Sequence, residues 1–202
     1  MKGYKIANLD LFLQQIGEEK TKSILADYFC PLNPDVQDFL LNNAITFSRQ
    51  GLAKTHLVFA SKNDRWVLVG YFSLSMKTFL IRRSKKLGRK LSDRIRKFAR
   101  ILDEVDTYEI SAPLIAQLGK NFHNGYNQLI SGDELLKIAC DKVQRIHSEM
   151  GGKIAYLECE DKPQLLRFYE RNGFLEFDKR PLDKSDRDLF KADYLVQMLR
   201  YF

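Results

Sequence analysis

Apolar positions recur at helical spacing in the first quarter of the chain. Residues 8–29 predict two helical pieces with a break at Gly17. Asn33 and Pro34 open a further helix, because asparagine caps helices and proline suits their first turn. Apolar side chains continue at helical spacing from there until Gly51 ends the pattern.

The middle of the chain changes to the patterns of strands. Two runs rich in β-branched and aromatic residues, 55–60 and 66–74, flank a polar turn at residues 62–65 and predict a hairpin. Residues 108–118 predict another strand. Pro113 within it indicates a bulge or a sheet edge, because proline cannot donate to a strand ladder.

The last third of the chain alternates between helices and strands. A loop rich in glycine and asparagine, residues 119–131, leads into an amphipathic helix over residues 132–150. A short buried strand at 153–160 and a helix at about 162–171 follow, with Asp161 as the predicted cap of that helix.

Beyond this helix, Gly173 acts as its stop and Phe174 begins another strand. Residues 178–193 mix acids and bases and predict a solvated loop, and residues 194–199 predict a last strand. Helices first, then a hairpin, then alternating strands and helices together predict a mixed α/β sheet.

Composition narrows the class of protein. The 202 residues, 45% of them hydrophobic, fit one globular domain spanning 1–202. No apolar run is long enough for a membrane span, and the first residues lack the pattern of a signal peptide. Cys30, Cys140 and Cys159 are too few and too scattered for a disulfide framework or a zinc site, so we expect reduced thiols in a cytoplasmic protein. The three histidines are equally scattered, and no metal site is expected.

The positive charge is concentrated in one segment. The net charge is +7, yet residues 77–100 hold eleven of the 33 basic residues and one of the 26 acidic ones. We predict a helix at about 92–102 within this segment. Its cations, with Phe79 and Phe98 interleaved, could bind a polyanion such as tRNA through residues 82–100. A solvated cationic helix is the equally weighted alternative.

Several stretches together resemble one family. The stretch Leu114-Ile-Ala-Gln-Leu-Gly119 precedes the loop, Ser131-Gly132-Asp133-Glu134 begins the long helix, and a distinctive aromatic stretch ends the next helix. That last stretch reads Phe168-Tyr169-Glu170-Arg171-Asn172-Gly173-Phe174. In this order they resemble the GNAT superfamily of acetyl-CoA-dependent N-acyltransferases, and most closely its toxin-like bacterial members.

The resemblance implies a fold and a site. The fold would be a mixed central sheet with helices on both faces and a V-shaped split between two central strands, into which the pantetheine arm of coenzyme A fits. Residues 77–107 would be a basic helical insertion. Tyr169 would be the general acid, since a phenol with a pKa of about 10 can protonate a leaving thiolate. The residues implied to hold acetyl-CoA are Gln117, Leu118, Gly119, Lys120, Asn127, Ile130, Ser131, Gly132, Lys162 and Phe168.

The phosphate loop departs from the family pattern. Asn127 begins the matching stretch, but Ile130 stands where the family has a glycine whose backbone approaches phosphate. Asp133 and Glu134 add negative charge where a diphosphate would bind. We therefore expect the pyrophosphate to sit differently, with help from Lys120, or coenzyme A binding to be weak or lost.

The general base is not evident either. Some family members carry a glutamate where this chain has Leu114. Glu109 lies too far back, and Glu158 and Glu160 are candidates for which a structural role is favoured. The thiol of Cys159 is expected to be a buried core residue, because direct transfer needs no covalent thiol.

Three functions stay open at this point. The first is an N-acetyltransferase acting on a small molecule or a protein, with a possible homodimer. The second is a toxin-like enzyme acting on aminoacyl-tRNA, and the third is a binding module without catalysis. The acceptor pocket is expected among residues 20–35, 71–80 and 178–193, where Tyr28 and Tyr71 with the adjacent Phe72 are candidates to line it.

Overall fold

The structure is a computed structural model that describes residues 3–83, 88–182 and 193–202. Its helices are α1 (Leu9–Ile16), α2 (Glu18–Leu25), α3 (Pro34–Asp38), α4 (Ala44–Arg49), α5 (Gly88–Ile95), α6 (Gly132–Met150) and α7 (Pro163–Arg171). Its strands are β1 (Tyr4–Asn8), β2 (Lys54–Lys62), β3 (Arg65–Arg82), β4 (Arg100–Leu102), β5 (Thr107–Lys120), β6 (Ile154–Cys159), β7 (Leu175–Pro181) and β8 (Tyr194–Tyr201). None of the described helices is both long enough and apolar enough to cross a membrane.

The amino-terminal helices follow the sequence signals. Gly17 separates α1 from α2 with a φ of 81°, a value that glycine adopts readily. The Asn33 side chain accepts hydrogen bonds from the backbone of Asp35 and Val36 and so caps α3. A single π-helical turn, Phe39–Asn43, joins α3 to α4. The sequence did not predict this turn.

The predicted hairpin is present, but its second strand is longer than expected. Asn63 and Asp64 have φ values of 50° and 59°, as a two-residue type I′ turn requires. Strand β3 continues past the predicted end to Arg82, so the beginning of the basic segment is strand. Phe79 and Ile81 are buried in a core cluster, which ties this part of β3 to the sheet.

In the described chain, eight strands form one mixed sheet in the order β1-β2-β3-β5-β6-β8-β7, with β4 paired to β5. Strands β5 and β6 are parallel, and the register pairs Leu114 with Tyr156. The other registered pairs, among them β6 with β8 and β7 with β8, are antiparallel. The predicted mixed α/β fold class is confirmed.

The chain divides into two compact units. Unit 1 comprises residues 1–75 and 115–140, and its core packs α1 to α4 against β2 and β3 around Leu40, Leu57 and Tyr71. Unit 2 comprises residues 76–114 and 141–202, and its core gathers side chains of β3, α5, β5, β6, β7 and β8.

Two local predictions are wrong. The helix predicted at about 92–102 is instead α5, which ends at Ile95, followed by the strand β4. Pairing of β4 with β5 overrides the helical propensity of its residues. Residues 178–181, predicted as loop, belong to β7, and residues 183–192 of that predicted loop lie outside the described part.

Candidate functional site

The end of β5 is shaped by a glycine. A Cβ atom on Gly119 would lie 2.3 Å from the Tyr28 hydroxyl oxygen and 2.4 Å from Cγ1 of Val36, so no other residue fits. Two residues earlier in β5, Gln117 donates from Nε2 to the Asp35 carboxylate at 3.1 Å. The helix α3 and the loop before it therefore pack directly on the strand segment predicted to hold pantetheine.

The loop after β5 is tied to its strand by two residues. Lys120 donates from Nζ to the carbonyl oxygen of Asn127 at 3.1 Å, which places the ammonium beside the predicted phosphate loop. Asn121 is fully buried and was missed by sequence reasoning, which counted it among the loop formers.

The Asn121 side chain uses its full hydrogen-bonding capacity. Its Oδ1 accepts from the backbone of Phe29 and His123, and its Nδ2 donates to the carbonyls of Asp27 and Leu68. It thereby fixes the α2–α3 loop to the end of β5. An asparagine directly after a strand is the one sequence signal that could have identified it.

Ile130 does not obstruct the phosphate loop in the way its sequence position suggested. Its side chain is 2% exposed and belongs to the interior of unit 1. The substitution of isoleucine for the family's glycine therefore leaves the outer surface of the loop without an added side chain. We conclude that Ile130 changes packing rather than covering the candidate phosphate site.

The amino end of α6 is occupied by its own side chains. The Glu134 carboxylate accepts from the Ser131 N–H at 2.8 Å, and the Ser131 hydroxyl accepts from the Glu134 N–H at 3.1 Å. This is a capping box flanking Gly132. Burial, followed by the hydrogen bond and charge of Glu134, raises the pKa of Tyr4 to about 12. The carboxylate therefore occupies the Ser131 N–H, at the helix start where the sequence predicted a diphosphate to bind.

In unit 2, Tyr169 and Phe168 lie near the end of α7, and both are half-buried. The Tyr169 carbonyl accepts from the backbone of Asn172 and Phe174, which ends the helix, and its ring contacts those of Phe168 and Phe174. Its hydroxyl has no hydrogen-bond partner in the described chain. Burial, and secondarily Cys159, raises the pKa of Tyr169 above its ordinary value, so the phenol keeps its proton at neutral pH.

The amino end of α7 lacks the predicted cap. Lys162 is its N-cap residue and makes no capping side-chain hydrogen bond, while its ammonium pairs with Glu160 at 2.7 Å. Asp161, predicted to cap α7, instead accepts from Tyr194 at 2.6 Å and from Lys179 at 2.9 Å. These tertiary partners draw the side chain away from the helix, so that prediction is wrong.

Glu158 is the centre of a polar network in unit 2. Arg180 donates to both of its oxygens at 2.9 Å, and Lys77 lies 3.4 Å away. The Tyr156 hydroxyl also donates to it, while accepting from Gln197 at 2.6 Å. Burial would raise the pKa of Glu158, but the bonds from Arg180 and Tyr156 and the charge of Lys77 outweigh it and hold that pKa at about 2. Glu158 is therefore a structural carboxylate and a poor base.

The cysteines and the proposed acceptor-pocket aromatics lie in the interior. Cys30, Cys140 and Cys159 are buried and form no disulfide, and burial raises the pKa of the Cys159 thiol to about 12. Tyr71 is fully buried and donates to the Val36 carbonyl at 2.5 Å. Tyr28 and Phe72 are buried as well, so the prediction that these aromatic residues line an acceptor pocket is wrong. Within the described ranges, no group of three or more metal-ligating side chains occurs.

The basic segment presents exposed cations on α5 and around it. Arg83 pairs with Asp103 and Asp106, and Arg100 lies near Glu109. Six other exposed cations have no acidic partner in the part of the chain that the structure describes: Arg82, Arg89, Lys90, Arg94, Arg96 and Lys97. All six belong to unit 2, and we refer to them as its basic surface.

The predicted coenzyme A residues therefore fall into two groups. One continuous stretch of unit 1 holds Gln117, Leu118, Gly119, Lys120, Asn127, Ile130, Ser131 and Gly132. Unit 2 holds Lys162 and Phe168, together with Tyr169, which was predicted as the general acid. Each group keeps the local geometry described above.

Comparison with known proteins shows the fold. No protein-family model and no curated protein matches the sequence. Among solved structures, a tyrosine-to-phenylalanine mutant of KacT matches with a TM-score of 0.61 at 13% identity, covering 97% of this chain and 94% of its own. AtaT complexed with acetyl-methionyl-tRNAfMet matches with a TM-score of 0.60 at 15% identity, covering 96% and 94%. The NatC complex bound to Gag peptide and CoA matches with a TM-score of 0.53 at 17% identity, covering 100% and 99%. The GNAT fold predicted from the resemblance is confirmed.

Proposed function

We propose that this GNAT-fold protein is an N-acetyltransferase that moves the acetyl group of acetyl-CoA directly to a primary amine. The observation that carries the proposal is the edge of β5. Its registered pairing with β6 is at Leu114, yet the strand continues to Lys120. The backbone of that continuation is suited to pair with the amides of a pantetheine arm. The solved structures support this reading, because AtaTR was solved with AcCoA and NatC with CoA.

Each group of residues has a role in the proposed reaction. Backbone groups from Gln117 to Gly119 would bind pantetheine, and the N–H of Leu118 would polarise the thioester carbonyl. The amine nitrogen bonds to the carbonyl carbon and gives up a proton to a base, the C–S bond breaks, and Tyr169 gives its proton to the departing sulfur. The raised pKa of Tyr169 keeps that proton in place until thiolate charge develops.

The phosphates would be held beside the loop after β5. Lys120 supplies a cation, and the N–H groups of Ser131 and Gly132 supply donors at the start of α6. Lys162 and Phe168, in unit 2, are the other two residues predicted to bind coenzyme A. Because Glu134 already occupies the Ser131 donor, its carboxylate has to turn away when a diphosphate binds.

Calorimetry with acetyl-CoA and purified protein tests the cofactor. We expect heat of binding and a raised melting temperature, and radioactive acetyl transfer to primary amines supplied in a panel. If neither heat nor a thermal shift is observed, the protein would instead be a binding module without catalysis. Binding without transfer to any amine would contradict the enzymatic part alone.

A second candidate acceptor is aminoacyl-tRNA, which the basic surface in unit 2 favours. Its exposed cations without acidic partners are suited to phosphates, and AtaT was solved with acetyl-methionyl-tRNAfMet. On this proposal the protein works in the bacterial cytoplasm as a toxin-like enzyme. Acid-precipitable acetyl label on total aminoacylated tRNA, lost when Arg89 and Lys90 are both replaced by glutamate, would support it. Equal labelling by that variant would contradict the tRNA role of this surface.

A further inference from the structure

The proposed reaction needs a group that takes a proton from the attacking amine. The carboxylates considered from the sequence are engaged elsewhere. Glu158 is held in its network, Glu160 pairs with Lys162 at 2.7 Å, and Glu109 lies 3.8 Å from Arg100. A different carboxylate has to be sought near the strand that would bind coenzyme A.

Asp35 is such a carboxylate, and it lies in the same unit as that strand. It stands in the first turn of α3, where its backbone N–H bonds to the Asn33 cap at 3.1 Å. Its side chain turns toward β5, and Oδ2 accepts from Gln117 at 3.1 Å. In the described chain no cation pairs with Asp35 and no second side chain donates to it. One oxygen of a half-buried carboxylate is therefore left for another donor.

Neighbouring contacts hold Asp35 firmly in that position. The Tyr71 hydroxyl donates to the carbonyl of Val36, the next residue, at 2.5 Å. The Val36 side chain lies directly over Gly119. Asp35 and its neighbour Val36 thus contact both β5 and β3. These contacts keep Asp35 at a fixed distance from a ligand on β5, and a general base needs such a fixed distance.

We infer that Asp35 binds the acceptor amine and accepts its proton, an inference that rests on the proposed function. Asp35 first takes one proton from the bound ammonium group, and the neutral nitrogen then bonds to the thioester carbon and loses a second proton to water. The C–S bond breaks and sulfur receives a proton from Tyr169. Asp35 then releases its proton to water and Tyr169 regains one, so the amide and the free thiol are the products.

A purely structural explanation also exists for Asp35. An acid in the first turn of a helix stabilises it through the helix dipole. That role would lower stability when the charge is removed. It would not alter how the reaction rate depends on pH or on the basicity of the acceptor, and these two readouts separate the explanations.

The experiment compares Asp35→Asn with the wild-type protein in acetyl transfer from acetyl-CoA. The acceptors are total aminoacylated tRNA, methioninamide as a small protonated amine, and hydroxylamine as an amine that is largely unprotonated at neutral pH. Asn keeps the shape and the bond from Gln117 but removes the charge. Asp38→Asn is the matched control, because Asp38 lies on the same helix and bonds Asn42 and Asn43 at the surface.

We expect Asp35→Asn to lower kcat/KM about 100-fold for whichever of the first two acceptors the wild type uses. The loss should shrink as pH rises and nearly vanish with hydroxylamine, while the Kd of acetyl-CoA stays within about twofold. Asp35→Glu should recover part of the rate, and Asp38→Asn should behave as wild type. An active wild type with unchanged rates in Asp35→Asn overturns the inference alone. A wild type that binds acetyl-CoA but acetylates none of the three overturns the inference together with the enzymatic proposal.

Discussion

The two units differ in how many of the polar groups assigned to the proposed reaction are already bonded. In unit 1, the Ser131 and Glu134 N–H groups at the start of α6 are both occupied by side chains of the same capping box. In unit 2, the Tyr169 hydroxyl has no partner in the described chain. The stretch that departs from the family pattern has thus satisfied its own donors, whereas the stretch that keeps the pattern leaves its chemical group available.

The largest effect should come from removing the available group. Tyr169→Phe keeps the ring contacts with Phe168 and Phe174 but deletes the proton donor. We expect kcat to fall about 1,000-fold, within the range of general acid catalysis, with an unchanged Kd for acetyl-CoA. Steady-state kinetics and calorimetry measure the two quantities. Tyr201→Phe, on β8 of the same unit, is the control, and an equal loss there would point to a general effect on packing.

Replacing Glu158, the hydrogen-bonded carboxylate of unit 2, should give the next largest effect. The pKa of Glu158 is about 2 in the folded protein, against 4.5 for the free group. Its contribution to the free energy of unfolding, about 3 kcal/mol, is therefore present above pH 4.5 and is lost as pH falls toward 2. Glu158→Gln should be less stable than wild type by about that amount near neutral pH.

Urea unfolding at a series of pH values checks this prediction. The difference between Glu158→Gln and wild type should shrink steadily as pH falls through that window. Glu160→Gln, whose pair with Lys162 is more exposed, serves as the control and should differ little at any pH. A difference for Glu158→Gln that does not change with pH would mean that the network, and not the ionised carboxylate, provides the stability.

Adding a methyl group at Gly119 in β5 should have a smaller effect. In Gly119→Ala the new methyl group meets Tyr28 and Val36, both buried and unable to move freely. We expect a loss of about 2 kcal/mol in unfolding free energy and weaker acetyl-CoA binding, since the strand would shift. Thermal unfolding and calorimetry measure both. Gly3→Ala, where nothing lies near the added methyl group, should change neither quantity.

The smallest effect is expected at the start of α6, where the donors of unit 1 are occupied. Glu134→Gln removes the negative charge from the start of α6 while keeping an acceptor for Ser131. Acetyl-CoA should then bind about 5-fold more tightly, because its phosphates no longer compete with a carboxylate. Titration calorimetry at two salt concentrations is the measurement. Glu149→Gln at the other end of α6 is the control, and a weaker affinity in Glu134→Gln would show that the capping box supports the site.

Local signals in the sequence were sufficient for much of the fold. Gly17, Asn33 and the turn at Asn63 and Asp64 each impose a backbone conformation that neighbours cannot override. The helix at 132–150 was predicted at its observed bounds because its capping residues and its apolar face agree. Where short-range chemistry and burial pattern point the same way, sequence alone determines the element.

Tertiary contacts decided the remainder. The sequence did not indicate that β3 extends through Phe79 and Ile81, because basic residues surround these two buried positions. Asp161 forms hydrogen bonds with residues of β7 and β8 instead of capping its helix. Asn121 forms hydrogen bonds with four backbone groups, which no rule of residue spacing predicts. For the candidate site, the sequence predicted residues of β5, α6 and α7, and their roles stay predictions. It could not show that Asp35 reaches Gln117, because 82 positions separate them.

The burial of the cysteines has a practical consequence for assays. Cys30, Cys140 and Cys159 are enclosed in the native protein, and the raised pKa of Cys159 leaves almost no thiolate at neutral pH. A disulfide dye that colours on contact with free thiols should therefore give no signal with the folded protein and should respond to coenzyme A if the proposed reaction releases it. Turnover can then be followed continuously by absorbance, without labels and without mutating the protein.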